Sequence, residues 1–234
     1  MTIGGADRLL QEVRQELATM ERRNHFVELV AEGSAPRERL AALACEELLI
    51  VPSDRRSFAF LAARFPEAPA GELFLSLAQG EGVALSHLGA FARALGLDAS
   101  TISSYEPRAG CQAYTAYVAW LALNGSRSQV AVALLANLDA WGSFCAAVAA
   151  GLRRHYGLDD DAVGFFDFFA SPPPGFLELG LAVVQSGLDA GEAPEASRRA
   201  ARLLQHYELA FWDALAEGLT GEGSPESHAS GSAM

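Results

Sequence analysis

Apolar residues recur every three or four positions along most of this chain, and clusters of Gly and Pro separate the periodic stretches. That spacing is typical of amphipathic α-helices, whereas the alternation expected of β-strands is scarce. We expect the helices to break near residues 33–36, at Pro52, at residues 80–82 and at the prolines of 172–174. The pattern predicts an all-α protein, a bundle of about eight helices.

The longest periodic stretches predict helices at residues 7–30, 126–155, 159–169 and 194–217. Together with the shorter stretches between them they predict a single helical domain over residues 1–219. Residues 220–234 are rich in Gly, Ser and Pro, a composition typical of disordered segments. We therefore expect a disordered C-terminal tail over residues 220–234.

One acidic residue near the C-terminus falls where the helical pattern requires an apolar one. In the helix predicted for residues 194–217, Glu208 shares the apolar face with Leu204, Phe211 and Leu215. A carboxylate in such a position must accept hydrogen bonds, take up a proton or face a polar cavity. Glu208 is therefore a candidate functional residue.

A second acid repeats this pattern in an earlier helix. Glu47 points into an apolar face formed by Leu43, Ala44 and Ile50, while Glu46 projects to the side. Two acids that face one core from distant helices could form a general acid–base pair, or one could orient the other. Each could equally be tied to an arginine or a backbone group of its own. The pattern leaves these alternatives open.

Composition excludes several classes of partner. The net charge is −12, which disfavours binding to the phosphates of nucleic acids. Asp139 and Ser143 interrupt the most apolar run, so we expect no membrane span. The three cysteines are far apart and have no metal-binding spacing, which indicates reduced thiols. We expect a cytoplasmic protein.

Three segments together resemble the TenA/thiaminase II family of the heme-oxygenase-like superfamily. They are 113–117 (AYTAY), 133–135 (ALL) and 207–212 (YELAFW), and the resemblance extends over residues 24–215. It implies a heme-oxygenase-like helical fold, assembly as a homodimer or homotetramer, and a central pocket for an aminopyrimidine. Members of this family hydrolyse thiamine or its breakdown products, and the resemblance implies no cofactor.

The resemblance also assigns roles to individual residues. Glu208 falls on the catalytic glutamate of the family, and Glu47 falls on the aspartate that binds the amino group of the pyrimidine. Tyr114 falls on a tyrosine that lines the pocket, and Ile50 stands where a pocket tyrosine is usual. Phe211 lies beside Glu208 on the same helix face, and we expect it to contact the ligand.

The nucleophile is where the chain departs from the family. Asn137 stands at the position of the catalytic cysteine, and Trp141 at that of a following tyrosine. Covalent catalysis in this family requires a thiolate, which an amide cannot replace. Cys145 lies about two turns further along the helix and roughly 80° around it, so it is a poor substitute. Asn137 and Trp141 are instead predicted to contact the ligand.

Another branch of the superfamily binds two irons through Glu and His ligands. Here the corresponding positions are Phe169, Pro173 and Phe176, and Glu81 with His87 is the one remaining candidate pair. A metal site needs several oxygen or nitrogen ligands, so we predict no metal.

Three functions remain open. The first is a Cys-independent hydrolase of thiamine salvage that acts on an aminopyrimidine or a related small heterocycle, with Glu208 as general acid–base. The second is an inactive protein of the same fold that binds a small molecule or has a regulatory role. A metal-dependent oxidase is a third and weaker alternative.

Overall fold

A computed structural model of the protein describes residues 4–19 and 23–219. Within these residues the chain forms ten α-helices and no β-strand, which confirms the prediction of an all-α protein. The helices are α1 (Gly5–Ala18), α2 (His25–Glu32), α3 (Arg37–Arg64), α4 (Ala70–Ala94), α5 (Ala99–Ser104), α6 (Ala109–Asn124), α7 (Arg127–Tyr156), α8 (Asp160–Ala170), α9 (Phe176–Asp189) and α10 (Pro194–Ala216). The tail predicted to be disordered, residues 220–234, lies outside the described residues.

Several helix ends follow from local side-chain chemistry. Ser126 caps α7 by accepting a hydrogen bond from the backbone N–H of Gln129, and the Gln129 side chain accepts one from Ser126 in return. Asp159 caps α8 in the same way through the N–H of Ala162. The helices predicted for residues 126–155 and 159–169 are confirmed.

The helix predicted for residues 7–30 is wrong, because this segment forms two helices. Helix α1 ends at Ala18, and α2 begins after Asn24, whose side chain accepts a hydrogen bond from the backbone N–H of Val27. Asn is favourable at the N-cap of a helix and unfavourable in its interior, so a new helix starts after this residue.

Two predicted breaks are also wrong, because α3 continues through Pro52 and α4 continues through Gly80 and Gly82. Pro lacks a backbone N–H and Gly is flexible, so both normally favour an end to a helix. Here α3 and α4 pack along each other, and buried residues beyond these points, such as Phe58 in α3 and Leu88 in α4, hold both helices in place. Tertiary packing therefore overrides the local preference.

Helix α7 runs through the middle of the molecule. Its first half belongs to one apolar cluster, which includes Val130, Val132 and Leu135, and its second half belongs to another, which includes Val148 and Leu152. Helix α7 is also the one helix of the described residues that is long and apolar enough to cross a membrane. Half of its apolar stretch is buried by neighbouring helices, as is usual for a central core helix. A location in the cytoplasm stays a prediction.

The contact between α7 and α2 requires a glycine. A Cβ atom on Gly151 would lie 2.5 Å from the carbonyl oxygen of Val30, a backbone atom that cannot move aside easily. We expect Gly151→Ala to lower the free energy of unfolding by about 1–3 kcal/mol, because the two helices must separate to admit the methyl group. Chemical denaturation monitored by circular dichroism measures this change.

Gly89→Ala in α4 is the matched control. A Cβ there would meet only the guanidinium end of Arg93, at 3.4 Å. Removing a helical glycine that has room for a methyl group should stabilise the protein by up to about 1 kcal/mol. Equal stability changes in the two variants would contradict the close packing of α7 on α2.

Candidate functional site

A cavity of about 50 Å³ lies between α3, α4, α6, α7, α8 and α10, and we call it the first cavity. It is large enough to hold water or part of a small ligand. Six of the seven residues predicted for the site line it, and Asn137 is adjacent to it. The lining residues are Glu47, Ile50, Asp54, Glu81, Tyr114, Trp141, Phe169, Glu208 and Phe211.

Helix α3 supplies one wall of the first cavity. Glu47, Ile50 and Asp54 are three and four residues apart, so they lie on one face of the continuous helix. All three are buried, with Glu47 at 3 % exposure and Asp54 at 5 %. The side chain of Asp54 accepts a hydrogen bond from the hydroxyl of Thr115 on α6. Glu47 therefore faces the cavity, as predicted. Asp54, two turns further along the helix, also faces it and was not predicted to do so.

Glu208 on α10 is held by Asn137 on α7. The Asn137 side-chain amide donates a hydrogen bond to Oε2 of Glu208, and both residues are buried. The second carboxylate oxygen of Glu208, Oε1, and the amide oxygen of Asn137, Oδ1, are both buried without a hydrogen-bond partner among the described residues. Buried polar atoms normally have partners. Two acceptor oxygens can therefore receive donors from a ligand.

Asp54 was missed by sequence reasoning, and Glu81 was considered only as a metal ligand. Because a helix break was predicted at Pro52, Asp54 was not expected to share a helix face with Glu47. Because glycines flank Glu81, it was not expected to lie within a helix. The sequence signal that could have found Asp54 is its spacing of seven residues from Glu47, provided that the helix is taken as continuous. For Glu81 no comparable signal exists, since α4 carries glycines on both sides of it.

Burial dominates the electrostatics of the first cavity. It raises the pKa of Glu47 to about 8, and Asp54, Glu46 and Glu208 contribute to this rise because they carry the same sign of charge. Burial also raises the pKa of Asp54 to about 7, although the hydrogen bond from Thr115 acts to lower this pKa. The pKa of Glu81 rises well above its ordinary value through burial and the charges of Asp54 and Glu47.

Glu208 has a pKa near neutrality. Burial raises its pKa to about 7, and the hydrogen bond from Asn137 and the nearby Trp212 partly oppose this. The indole Nε1 of Trp212 makes no hydrogen bond of normal geometry within the described residues, so its influence is weaker than that of Asn137. A carboxyl with a pKa near 7 can both give and take a proton at neutral pH, as general acid–base catalysis requires.

Tyr114 lies close to all of these acids. Burial raises the pKa of its hydroxyl well above the ordinary value, and the charges of Asp54, Glu208, Glu81 and Glu47 raise it further. The hydroxyl therefore keeps its proton and can donate a hydrogen bond at any physiological pH.

Glu46, next to Glu47 in sequence, has a different role. Its carboxylate accepts hydrogen bonds from the Tyr105 hydroxyl and the Arg108 backbone N–H, both at 2.7 Å, and from the Gln112 amide. It is fully buried and attaches α3 to the start of α6. Of the two neighbouring acids, Glu46 is structural and Glu47 faces the cavity.

A second cavity of about 100 Å³ adjoins the first. Glu81, Tyr114, Trp141 and Phe169 line both, so these four side chains stand between the two spaces. Asn137 faces the second cavity, and the remaining walls are apolar: Phe58, Leu77, Leu134, Leu138, Phe176 and Leu204. The site therefore has an acidic compartment and an apolar compartment.

None of the three cysteines, all of which lie in the described part of the chain, lines either cavity. Cys45, Cys111 and Cys145 are buried, and burial raises the pKa of each thiol above its ordinary value. The thiol of Cys111 contacts the carbonyl oxygen of Phe211 at 3.6 Å. None of the three is placed to supply a thiolate to the site.

The three positions that correspond to iron ligands in the other branch of the superfamily hold no metal-binding side chain. Phe169 lines both cavities and Phe176 lines the second, whereas Pro173 lies in the turn before α9. His87 packs on the ring of Phe168, away from both cavities. Across residues 4–19 and 23–219, no group of three or more His, Cys, Asp or Glu side chains is arranged to hold a metal ion.

The chain is similar to one known protein family over much of its length. The model of the TENA/THI-4/PQQC family matches residues 14–162, more than half of the chain, although Glu208 lies beyond that range. No match is found among curated protein sequences.

Solved structures of similar fold cover nearly the whole chain. A domain of unknown function with a heme oxygenase-like fold from Shewanella denitrificans has a TM-score of 0.70 at 14% identity, over 92% of this chain and 93% of that one. A TenA homologue from P. horikoshii has a TM-score of 0.64 at 18% identity, covering 90% and 95%. A TenA family transcription regulator from a Silicibacter species has a TM-score of 0.64 at 15% identity, covering 91% and 97%. The predicted heme-oxygenase-like fold is confirmed.

The raised pKa values predict how stability depends on pH. Glu47, Asp54 and Glu208 keep protons in the folded state that they release in the unfolded state at neutral pH. The free energy of unfolding should therefore fall as the pH rises from about 5.5 to about 8, by roughly 1.4 kcal/mol per pH unit for each retained proton. Urea denaturation at several pH values measures the slope.

Glu208→Gln removes one of these groups and should make the slope shallower. Glu195→Gln, on the exposed part of the same helix, should leave it unchanged. If stability rises with pH over this range, or if wild type and Glu208→Gln have equal slopes, burial does not raise the pKa of Glu208 as inferred.

Proposed function

The chain belongs to the TENA/THI-4/PQQC family, and from that premise we propose that it binds an aminopyrimidine or a related small heterocycle and hydrolyses it without a cysteine. Glu208 is the general acid–base, and Glu47 binds the amino group of the ring. Tyr114, Trp141, Phe211 and Ile50 enclose the heterocycle, and Asn137 orients Glu208. Thiamine salvage in the cytoplasm is the process that fits this chemistry.

The observation that supports this proposal most is a pair of side-chain oxygens, on Glu208 and Asn137, that have no hydrogen-bond partner. Oε1 of Glu208 and Oδ1 of Asn137 lack donors from the described residues, although both atoms are buried. The water molecule that acts as nucleophile supplies two O–H donors, which suits two free acceptors on side chains that are hydrogen-bonded to each other. The same carboxyl has a pKa of about 7, so it can also exchange a proton with the ligand.

Glu47 suits the edge of an aminopyrimidine that carries the amino group. With a pKa of about 8, this carboxyl is largely protonated at neutral pH. A protonated carboxyl donates to a ring nitrogen with one oxygen and accepts from the neighbouring amino group with the other. A planar heterocycle with an amino group next to a ring nitrogen can therefore form both hydrogen bonds with Glu47.

The proposed reaction for a formylated aminopyrimidine uses water as nucleophile. Ionised Glu208 takes a proton from water as the water oxygen bonds to the formyl carbon. The carbon–nitrogen bond then breaks, and Glu208 returns the proton to the departing amine nitrogen, leaving formic acid and the free amine. No thiol enters this sequence, which is consistent with Asn137 at the position of the cysteine.

The alternative is a protein that binds such a ligand without turning it over. The observation in its favour is Asn137, since the amide cannot form a covalent intermediate and it already occupies one oxygen of Glu208. Under this alternative, ligand raises the melting temperature but no product forms.

Turnover of thiamine and of formylaminopyrimidine by Glu208→Gln tests the hydrolase. We expect the rate constant to fall by at least about a hundredfold, because general acid–base catalysis contributes that much. Glu195→Gln on the exposed part of the same helix should react at the wild-type rate. Equal rates in wild type and Glu208→Gln would exclude Glu208 as the acid–base group, and ligand-induced stabilisation with no turnover in either would favour the alternative.

We also propose that the chain forms a homodimer or homotetramer through α6. Trp120 is 52% exposed and Leu123 is 63% exposed on one face of this helix, and Trp120 stacks on Tyr117 with ring centroids 5.8 Å apart. An exposed apolar face of this kind favours association. Light scattering should show a multiple of the monomer mass for wild type and a smaller mass for Trp120→Ser; a monomeric wild type would refute the assembly.

A further inference from the structure

We propose that Trp212 is a positioning residue for Glu208: its indole N–H donates a hydrogen bond to Oε1 of the ionised carboxylate and fixes the orientation of that group. The inference rests on the proposed function, in which Glu208 is the acid–base group. It adds a second donor to the one that Asn137 supplies, and it assigns a task to a tryptophan that lines neither cavity.

Helices α7 and α10 bring two pairs of residues together, one turn apart. Asn137 and Glu208 are hydrogen-bonded to each other. Four residues further along each helix, the rings of Trp141 and Trp212 lie with their centroids 5.6 Å apart. The two helices therefore run side by side in the same direction here, and Trp212 lies one turn beyond Glu208 on the same face of α10.

The side chain of Trp212 leans back over Glu208. In an α-helix every Cα–Cβ bond tilts toward the N-terminus, so a long side chain covers the turn that precedes it. For Trp212 that turn begins at Glu208. Aromatic neighbours keep the indole in this place, since its ring centroid lies 4.9 to 6.1 Å from those of Phe26, Trp141, Phe144 and Phe211.

Both groups that would form this hydrogen bond are unused. Nε1 of Trp212 is a buried donor and Oε1 of Glu208 is a buried acceptor, and neither has a hydrogen-bond partner among the described residues. The two residues are 1% and 2% exposed, so bulk water does not satisfy them. Leaving a buried donor and a buried acceptor unpaired is costly. Because they lie one turn apart on one helix, each is the nearest partner in sequence for the other.

The bond should be strongest when Glu208 is ionised, because an N–H donor binds a charged oxygen roughly twice as strongly as a neutral one. Burial raises the pKa of Glu208 to about 7, and Trp212 acts, after Asn137, to lower it. Loss of the proton therefore strengthens the bond to Trp212, and uptake of a proton from water weakens it. A carboxylate oxygen accepts two hydrogen bonds, so Oε1 can bind the indole and the water nucleophile together.

Other titratable groups also face Glu208, and their ionisation must be distinguished from its own. They are Glu47 and Asp54 of α3, Glu81 of α4, Tyr114 of α6 and Cys145 of α7. Helix α2 meets Trp212 with the ring of Phe26, and the acids Glu12 and Glu16 of α1 are bound to arginines earlier in α10. Asp213, next to Trp212 in sequence, is exposed. A response that Glu208 causes is therefore one that disappears in Glu208→Gln.

Nuclear magnetic resonance of the protein labelled with ¹⁵N-tryptophan tests the hydrogen bond without any substrate. The chain has three tryptophans, so three indole N–H signals are expected, and Trp120→Phe and Trp141→Phe identify the signal of Trp212 by elimination. We expect the indole proton of Trp212 to move downfield as the pH rises, with a midpoint at about 7, the pKa of Glu208. The signal of Trp120, which is 52% exposed on α6, should stay in place. Glu208→Gln should abolish the shift of Trp212.

The pH profile of kcat/KM for hydrolysis tests the effect on the reaction. Trp212→Phe keeps an aromatic ring and removes the N–H, so the pKa of Glu208 should rise and the acid limb of the profile should move up by about one to two pH units. Phe144→Leu is the matched control. It removes a ring that packs edge-on against Trp212 but leaves the N–H, so the acid limb should stay where it is in wild type.

The outcomes separate the inference from the proposed function. An indole signal of Trp212 that stays in place between about pH 5.5 and about 8.5, or that moves equally in Glu208→Gln, would refute the positioning role. So would a Trp212→Phe variant whose kcat/KM falls by the same factor at every pH, as a packing role alone requires. If the signal titrates with Glu208 but no substrate is hydrolysed at any pH, Trp212 does bind Glu208 and the proposed function fails. The signal is measured in proteins that retain Trp212, so this result does not depend on the folding of Trp212→Phe.

Discussion

Several acidic side chains are buried around one cavity, and no Arg, Lys or His of residues 4–19 and 23–219 lines it; this is the constraint on which the site depends. Glu47, Asp54 and Glu208 lie at 5 % exposure or less, on two helices far apart in sequence. Ionised carboxyls in such surroundings are costly, so each retains a proton to a higher pH than usual. Thr115 and Asn137 supply only part of the hydrogen bonding that the carboxyls need. A ligand rich in hydrogen-bond donors would therefore stabilise this site.

Two neighbouring acids show why pattern alone does not distinguish structural from functional residues. Glu46 and Glu47 both lie on the buried part of α3. The partners of Glu46 are Tyr105, Arg108 and Gln112, which are distant in sequence and reach it only in the folded protein. Glu47 faces the cavity instead. The difference lies in the packing of α3 on the start of α6, which helical periodicity does not contain.

Much of the fold, and part of the site, could be predicted from the sequence. Periodicity and capping residues predicted α7, α8 and α10, and the position of Glu208 on an apolar face predicted that it would be buried. The sequence did not predict that Asp54 and Glu81 line the first cavity, for a single physical reason. Pro52 and the glycines beside Glu81 favour helix ends locally, yet the packing of α3 along α4 keeps both helices continuous. Long-range contacts, which no local pattern encodes, decided these positions.

Asn137 changes the chemistry that Glu208 can perform. A thiol at this position would be the nucleophile, and Glu208 would serve it as proton acceptor and donor. The amide instead fixes one carboxyl oxygen by a hydrogen bond, and the other oxygen has no partner among the described residues. A carboxyl held in one orientation, with a pKa of about 7, is suited to activating water directly. The absence of a cysteine at this position therefore does not by itself imply the absence of hydrolysis. In the reaction that we propose, water is the nucleophile, and the rate depends on the orientation of Glu208.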